Sequence, residues 1–566
     1  MALHLLSNMK ASDFLNNIKG LPLADANKKL ENTCGIVDFL SCKEEVEELL
    51  EPVSEQEAKD EFGDWQTNFQ LACDVCQLMK EKDIRPEVVI EPTCGKGTFI
   101  LAALQTFDSI ELMFGIEIYK PYLNTLKINL LDNALNSHRS NAKIKLFHSS
   151  IFDFDFKQIR GKCEQKNILV IGNPPWVTNS KLGSINSRNL PVKSNFKNQR
   201  GIEAITGKGN FDIAEYICNM MIREFGSTNA KLAFLIKNSV IKNLVYRQKS
   251  NNDCICRIEQ HNIDAAKEFN VSVAASLLFL EFGSERAQEC TVFDFYSRTK
   301  QHSFGWVEDK FVSNTEVYRK WQRFDNESQL EWWSGIKHDC SKVMELTKNA
   351  EGQFVNGLNE IVDIEPDLVY PLVKSSDISN GNISQTRKYV IVTQHTPSES
   401  TDYIAKQYPK TYAYLICHAD MLDGRGSIIY KKRPRFAMFG IGDYSFKKYK
   451  IAVSALYKIP RFALIEPVDG RPVMLDDTCY LIGFDNREEA QMTLYLLNHT
   501  VTKAFIETIM FSDAKRVINK DLLMRIDIAE VSETLADGIN QQPAPFSFDT
   551  FSKKLKVAHP QQLELF

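Results

Sequence analysis

The stretch "EVVIEPTCGKGTFILAALQTF", Glu87 to Phe107, decides how the chain folds. A β-rich apolar run ends in an acid, Glu91, and a proline, Pro92; then Gly95 and Gly97 open a segment that reads as a helix. A glycine pair between strand and helix lets the backbone turn tightly and approach a ligand with no Cβ in the way. The loop has no Lys-Ser/Thr of a phosphate-binding P-loop, and its order Glu-Pro-x-Cys-Gly-x-Gly is not the dinucleotide fingerprint. An acid ahead of the glycines suits a ligand with a cationic amino-acid moiety better than a pyrophosphate.

Working outward, strand-like and helix-like blocks alternate. "ELMFGIEI", "IKLFHSSIF", "NILVIGNPP" and "KLAFLIKNS" read as strands; "KPYLNTLKINLLDNAL" and "NFDIAEYICNMMIREF" read as helices. This alternation predicts an α/β fold, a parallel sheet with helices on both faces. Ligands of such sheets bind at the carboxyl ends of the strands, so the loops after "VVIEP", "FGIEI" and "LVIGN" share one rim. In the second loop Glu117 ends its strand, where a carboxylate can accept both hydroxyls of an unphosphorylated ribose. The third belongs to "NILVIGNPPWVTNS", Asn167 to Ser180, whose prolines can neither donate a backbone hydrogen bond nor sit inside a central strand. The Asn173 side-chain oxygen and the Pro174 carbonyl are two acceptors for one amino group. With Trp176 as a flat platform, they describe a pocket for an exocyclic amine on a planar ring.

The chain's 566 residues exceed one ordinary core, so two or three domains are expected. Hydrophobic content of 43% and charge of 25% are those of a soluble globular protein. No apolar run reaches the roughly 18 to 20 residues of a membrane span, and "MALHLLSNMKASDF" lacks the basic lead of a secretory signal. A cytoplasmic protein without membrane attachment is expected. The 13 cysteines read as reduced thiols; the close pairs Cys73/Cys76 and Cys254/Cys256 have no second pair at matching spacing, so no metal site is expected. The net charge of −5 does not announce a nucleic-acid binder, yet charge is segregated. Between Asn179 and Asn210, Lys181, Arg188, Lys193, Lys197, Arg200 and Lys208 face one acid, Glu203; "YKKRPRF" and "SFKKYK" form further basic clusters. An isolated run of this kind reads as a solvated face, but the first one directly follows the third rim loop.

Four segments are expected: a helical, acidic stretch 1–60; an α/β domain 61–285; an α+β domain 286–540 with strand-like pieces "KYVIVTQ", "RFAMFG", "RFALIEP" and "CYLIGF" and the helical "REEAQMTLYLLNHTVTKAFIETIM"; and a loosely attached tail 541–566.

"NPPW" resembles the (D/N)PP(Y/F/W) catalytic motif of the S-adenosylmethionine-dependent N6-adenine DNA methyltransferases found in restriction–modification systems. "EPTCGKGTF" is similar to that family's first cofactor motif, "GIEI" to its ribose-binding acid, and "GDWQTN" (Gly63–Asn68) to the segment packing on the cofactor's methionine end. The motif order, with "DWQTN" first and a large C-terminal domain last, resembles the gamma class. The resemblance implies a Rossmann-like methyltransferase sheet followed by a target-recognition domain. It implies S-adenosylmethionine held by Trp65, Gln66, Thr67, Glu91, Pro92, Cys94, Gly95, Gly97, Glu117, Ile118, Ser150, Ile151 and Asn173. Ser150 stands where the family usually has an acid. The implied catalytic residues are Asn173, Pro174, Pro175 and Trp176, acting on an adenine flipped out of double-stranded DNA. Phe269 is expected to close the other face of the base, and Lys181, Lys193, Lys197 and Arg200 to contact phosphates. No covalent intermediate is implied, and the chain has no Pro-Cys pair of the cytosine-C5 enzymes. A separately encoded restriction endonuclease is a possible companion. Two alternatives stay open: a methyltransferase of RNA or protein, and a catalytically silent DNA-binding subunit.

Overall fold

The computed structural model describes residues 10–50, 66–136, 141–178, 212–251, 253–383, 386–431, 433–513 and 516–538. The chain divides into two compact units, Met1–Phe311 and Val312–Phe566.

In the first unit the strands are β1 (Val88–Glu91), β2 (Leu112–Glu117), β3 (Lys143–His148), β4 (Ile168–Gly172), β5 (Ala230–Lys237), β6 (Ile255–Asn262), β7 (Ala275–Phe282), β8 (Glu289–Asp294) and β9 (Lys300–Val307). With β10 (Lys310–Val312) they form one sheet in the order β10-β9-β8-β6-β7-β5-β4-β1-β2-β3. Strands β1 to β5 pair in parallel. Every residue of β1 and β4 is buried, as expected of central strands covered on both faces, which read as unbroken apolar runs. Helices Thr98–Thr106, Lys120–Asn136 and Ile213–Phe225 form where the sequence places them. The chain builds β1, β2 and β3 outward, then returns to lay β4 on the other side of β1. That reversal opens a crevice at the carboxyl ends of β1 and β4. Strand β7 runs antiparallel between β5 and β6, and the antiparallel pair β8–β9 carries the sheet past residue 285.

Residues 10–50 form helices Ala11–Ile18, Leu23–Cys34 and Glu45–Leu50. They cover the β3 edge: Val37 N donates to Ile144 O and Ile144 N to Gly35 O, each at 2.8 Å. Pairing an edge in this way removes a template for aggregation. The buried Glu45 accepts from the buried Lys127 at 2.7 Å, fastening this segment to the helix between β2 and β3.

The second unit has two sheets. One orders β11 (Trp333–Ser334), β19 (Cys479–Phe484), β16 (Tyr449–Ser454) and β17 (Phe462–Ile465); the other orders β13 (Phe354–Asn356), β12 (Glu345–Lys348), β15 (Lys388–Ile391), β14 (Val369–Val373) and β18 (Met474–Leu475). "RFAMFG" is not a strand, because Phe436 at φ 66° turns the chain out of extended geometry. The long helical stretch is two helices, Arg487–Asn498 and Thr500–Ile509, broken at His499 with ψ 145°.

The "SFKKYK" cluster departs from its reading as an open basic face. Lys448 is exposed and Lys447 pairs with Asp485, but Lys450 is 1% exposed, with Nζ donating to Lys447 O at 2.6 Å. Burial without a carboxylate brings its pKa down to about 7. The unfolded chain therefore binds one more proton than the folded one between about pH 7 and pH 10, so this residue makes stability rise with pH across that window. Lys450→Met should flatten the rise and raise stability at neutral pH, read from urea-denaturation midpoints at the two ends of the window.

Candidate functional site

The rim of the first unit holds a cleft. Its wall includes Gln66, Thr67, Glu91, Pro92, Cys94, Gly95, Glu117, Ile118, Ile151, Asn173 and Pro175, so residues 107 positions apart in the chain meet around one space.

The glycine loop sets the floor. Gly95 has φ 50° and a Cβ there would lie 3.2 Å from Gln66 Nε2, so the 66–67 segment lies against the bare backbone. Gly97, at φ 79°, starts the helix Thr98–Thr106, and its Cβ would sit 1.9 Å from Leu126 Cδ1. Gly97 thus has a packing role, which leaves its expected cofactor contact neither supported nor opposed. Its missing side chain lets the next helix approach.

Two acids face the space. Glu117 ends β2, and its carboxylate accepts from Gly95 N and Tyr119 N, each at 2.8 Å. Two backbone amides fix both oxygens. Glu91, at the end of β1, is 3% exposed, and its Oε2 is buried with no hydrogen-bond partner. Burial pushes the Glu91 carboxyl well above the usual carboxylate range; the Ile100 backbone N–H opposes this and the Glu117 charge adds to it. Thr93 Oγ1, in the same wall, is also buried without a partner. Cys94 is buried too, and its thiol is pushed up by burial, first, and by both acids. It is an inert wall and no nucleophile.

Asn173 follows β4 directly. Its Nδ2 donates to Thr67 Oγ1 at 3.2 Å, so the nitrogen end of the carboxamide lies toward the threonine. Pro175 lines the cleft as well. Trp176 is 6% exposed, its indole N–H donates to Leu235 O at 3.0 Å, and its ring meets that of Phe269 edge-on, with centroids 4.9 Å apart at 63°. A base held between two rings needs roughly 7 Å, twice a van der Waals contact of about 3.5 Å. The two aromatic residues are therefore neighbours as expected, but packed on each other, with no slot between them. Ser150 Oγ accepts from Phe152 N at 3.2 Å in a local turn, and its neighbours Ser149 and Ile151 line the cleft. Trp65, Lys181, Lys193, Lys197 and Arg200 lie outside the described residues.

Thr93, Thr98, Phe99, Ile116, Tyr119, Tyr122, Ser149 and Ile213 complete the wall without having been singled out. Tyr119 and Tyr122 follow the strand-end acid within "GIEIYKPY" and pack edge-on at 5.1 Å; that proximity was the available signal. Among the described residues no group of three or more His, Cys, Asp or Glu is arranged to hold a metal ion, and no helix is long and apolar enough to cross a membrane.

The reversal in strand order, with this cleft at the reversal point, defines a Rossmann-like methyltransferase fold joined to a second α+β unit. The type II methyltransferase M.NspV of Nostoc sp. is 38% identical over 485 residues, spanning 85% of this chain and 99% of its own length. The solved structure of the type IIL restriction–modification enzyme MmeI in complex with DNA matches 98% of this chain and 78% of its own, with a TM-score of 0.50 and 12% identity, a likeness of fold. A ribosomal RNA large subunit methyltransferase K/L of Acinetobacter baumannii is 28% identical over 106 residues, 18% of this chain and 14% of its own length. No family model matches the chain. The chain belongs to the type II methyltransferases of restriction–modification.

Because Glu91 has a raised pKa when folded, the stability it contributes is present below the ordinary carboxylate pKa and is lost as pH rises through the folded value. Glu91→Gln should remove that loss: thermal unfolding of the ligand-free protein, followed from about pH 5 to pH 9, should fall with pH in wild type and stay flatter in the variant.

Proposed function

We propose that the chain transfers a methyl group from S-adenosylmethionine to N6 of an adenine flipped out of double-stranded DNA, as a site-specific, gamma-class modification enzyme. The observation that carries this reading is Asn173, a carboxamide at the end of β4 in the wall of the cleft that Glu91 and Glu117 also line, with its nitrogen end turned to Thr67.

The residues present fit the cofactor. The orphaned, buried Glu91 Oε2 and Thr93 Oγ1 suit a cationic, hydrogen-bonding amino-acid end, and an ammonium beside Glu91 would offset its desolvation. Glu117, already oriented by two amides, keeps lone pairs for ribose hydroxyls. Ile118 and Ile151 offer apolar wall for the adenine ring. When bound, S-adenosylmethionine supplies an electrophilic sulfonium methyl.

The N6 lone pair of adenine is delocalised into the ring and is a poor nucleophile. Asn173 Oδ1 and the Pro174 carbonyl accept hydrogen bonds from the two N6 N–H groups, which favours a pyramidal nitrogen with its lone pair aimed at the methyl; the methylated nitrogen then releases one proton. Both acceptors also stabilise the positive charge that develops on nitrogen. Inside a duplex the amine is out of reach, so the base is flipped, at a few kcal/mol of unstacking. An adenine entering beside Trp176 has to part it from Phe269. Trp176 is tied by its indole N–H, whereas Phe269 ends a five-residue helix next to the exposed residues 272–274. Phe269 is therefore the ring that yields.

Lys181, Lys193, Lys197 and Arg200 are assigned to DNA phosphates. Both ends of their segment are tied beside the catalytic loop: Thr178 bridges Asp212, Ile213 N donates to Val177 O at 2.8 Å, and Asp212 pairs with Lys237 at 2.6 Å. The second unit is assigned to target recognition, with Lys431, Arg433 and Lys448 exposed on it. A separately encoded endonuclease is the expected partner.

Sequencing of DNA with detection of modified bases, from cells expressing wild type or Asn173→Ala, should reveal N6-methyladenine in a discrete motif with wild type only. An unmodified genome in both overturns the reading in favour of an RNA or protein substrate or a silent binding subunit. Replacing Lys193, Lys197 and Arg200 together by alanine should weaken binding to all DNA sequences and reduce the salt slope of log K by roughly 2 to 3, one unit per lost phosphate contact. An unchanged slope removes these residues from the interface.

A further inference from the structure

A carboxamide has two chemically opposite ends on one flat group, an acceptor oxygen and a nitrogen with two N–H donors. If the nitrogen of Asn173 faced the target amine, donor would meet donor and the hydrogen bond that aligns the lone pair would be lost. We propose that Thr67 is the positioning residue that sets this orientation, accepting the Asn173 Nδ2 proton on its hydroxyl and so turning Oδ1 toward the reacting amine. The inference rests on the function proposed for Asn173 above.

The contact joins residues 106 positions apart, at 3.2 Å between Asn173 Nδ2 and Thr67 Oγ1. The place of Thr67 is fixed by the fold and needs no ligand. Asn68, the next residue, caps the helix Phe69–Glu81 by accepting from Gln70 N at 2.9 Å. That helix buries Leu71, Ala72, Val75, Cys76, Leu78 and Met79. On the other side Gln66 lies against the bare Gly95. Thr67 is thus held between a helix cap and the glycine loop, with its hydroxyl against the catalytic amide. A valine has the same branched shape and no acceptor. It would remove the hydroxyl to which Nδ2 donates and let the amide turn.

Thr67 also lines the cleft, so a direct contact to the cofactor is the competing role, and a comparison with aspartate at position 173 separates the two. A carboxylate accepts at both ends, so it has no orientation to set. The experiment measures S-adenosylmethionine affinity by calorimetry and single-turnover methyl transfer to unmethylated genomic DNA. It uses wild type, Thr67→Val, Thr67→Ser, Asn173→Asp and the Thr67→Val/Asn173→Asp pair. Thr67→Val should slow transfer roughly tenfold, about the worth of one hydrogen bond, while changing cofactor affinity less than about twofold. Thr67→Ser should restore most of the rate. In the Asn173→Asp background, Thr67→Val should cost at most about twofold, the signature of two residues acting through one contact. Equal losses in both backgrounds, or a loss confined to cofactor affinity, would overturn the assignment while leaving the function of Asn173 intact. If wild type itself transfers no methyl group to this DNA, the functional reading fails first, and the two failures are thereby told apart.

Discussion

The cleft depends on β1 and β4 lying side by side in parallel. Their register pairs Val88 with Ile168 and Ile90 with Val170, so both strands end on the same rim, one in Glu91 and the other leading into Asn173. A Cβ on Gly172 would lie 3.4 Å from Glu91 Cγ, so the two strand ends are in near contact. A slip of one residue would turn every side chain of one strand to the opposite face. Because both strands are buried on both faces, the layers above and below oppose that slip. The N-terminal helices serve the same geometry at a distance by occupying the β3 edge, which leaves β2 and β1 as interior strands.

Charge is the second constraint. Two acids face one small space, and Glu117 is held by two amide N–H groups. Glu91 is the more deeply buried and keeps an oxygen with no partner, which the Ile100 N–H only partly offsets, so the folded protein carries a local electrostatic cost at its own site. Costs of this kind cluster where a ligand later meets them, since a fully satisfied site would have nothing to offer a cation. The rest of the first unit offsets this by ordinary means: a continuous apolar sheet, and buried pairs such as Glu45–Lys127 that keep both partners.

The α/β core and most of the site were legible in the sequence, because apolar runs ending in glycine, acid or proline are local signals. Glu91, Glu117 and Asn173 each close such a run, and the sheet rule brings them together. What escaped was polar in composition. Strand β6 buries Glu259, Gln260 and His261, with Glu259 accepting from His261 at 2.9 Å and pairing with Lys82; no hydrophobic pattern marks it as interior. Lys450 was misjudged for the same reason, since a lysine within a basic run gives no sign that its strand is central. The contact of Gly97 with the helix Lys120–Asn136 depends on a neighbour well along the chain that no motif marks. The close packing of Trp176 on Phe269 likewise joins segments 93 positions apart that no local pattern relates.

The choice of amide at position 173 follows from the charge constraint. An aspartate there would accept a hydrogen bond whichever way its side chain turned, but it would add a third carboxylate to a cleft already holding Glu91 and Glu117. Mutual repulsion at short range in a poorly solvated space would raise the pKa of at least one of the three. Asparagine keeps the acceptor at every pH and adds no charge. It gives up the symmetry of the carboxylate, and an unsymmetrical group has to be held the right way round. Thr67 stands on the nitrogen side, supplied by the segment that precedes β1 in sequence and lies against the glycine loop.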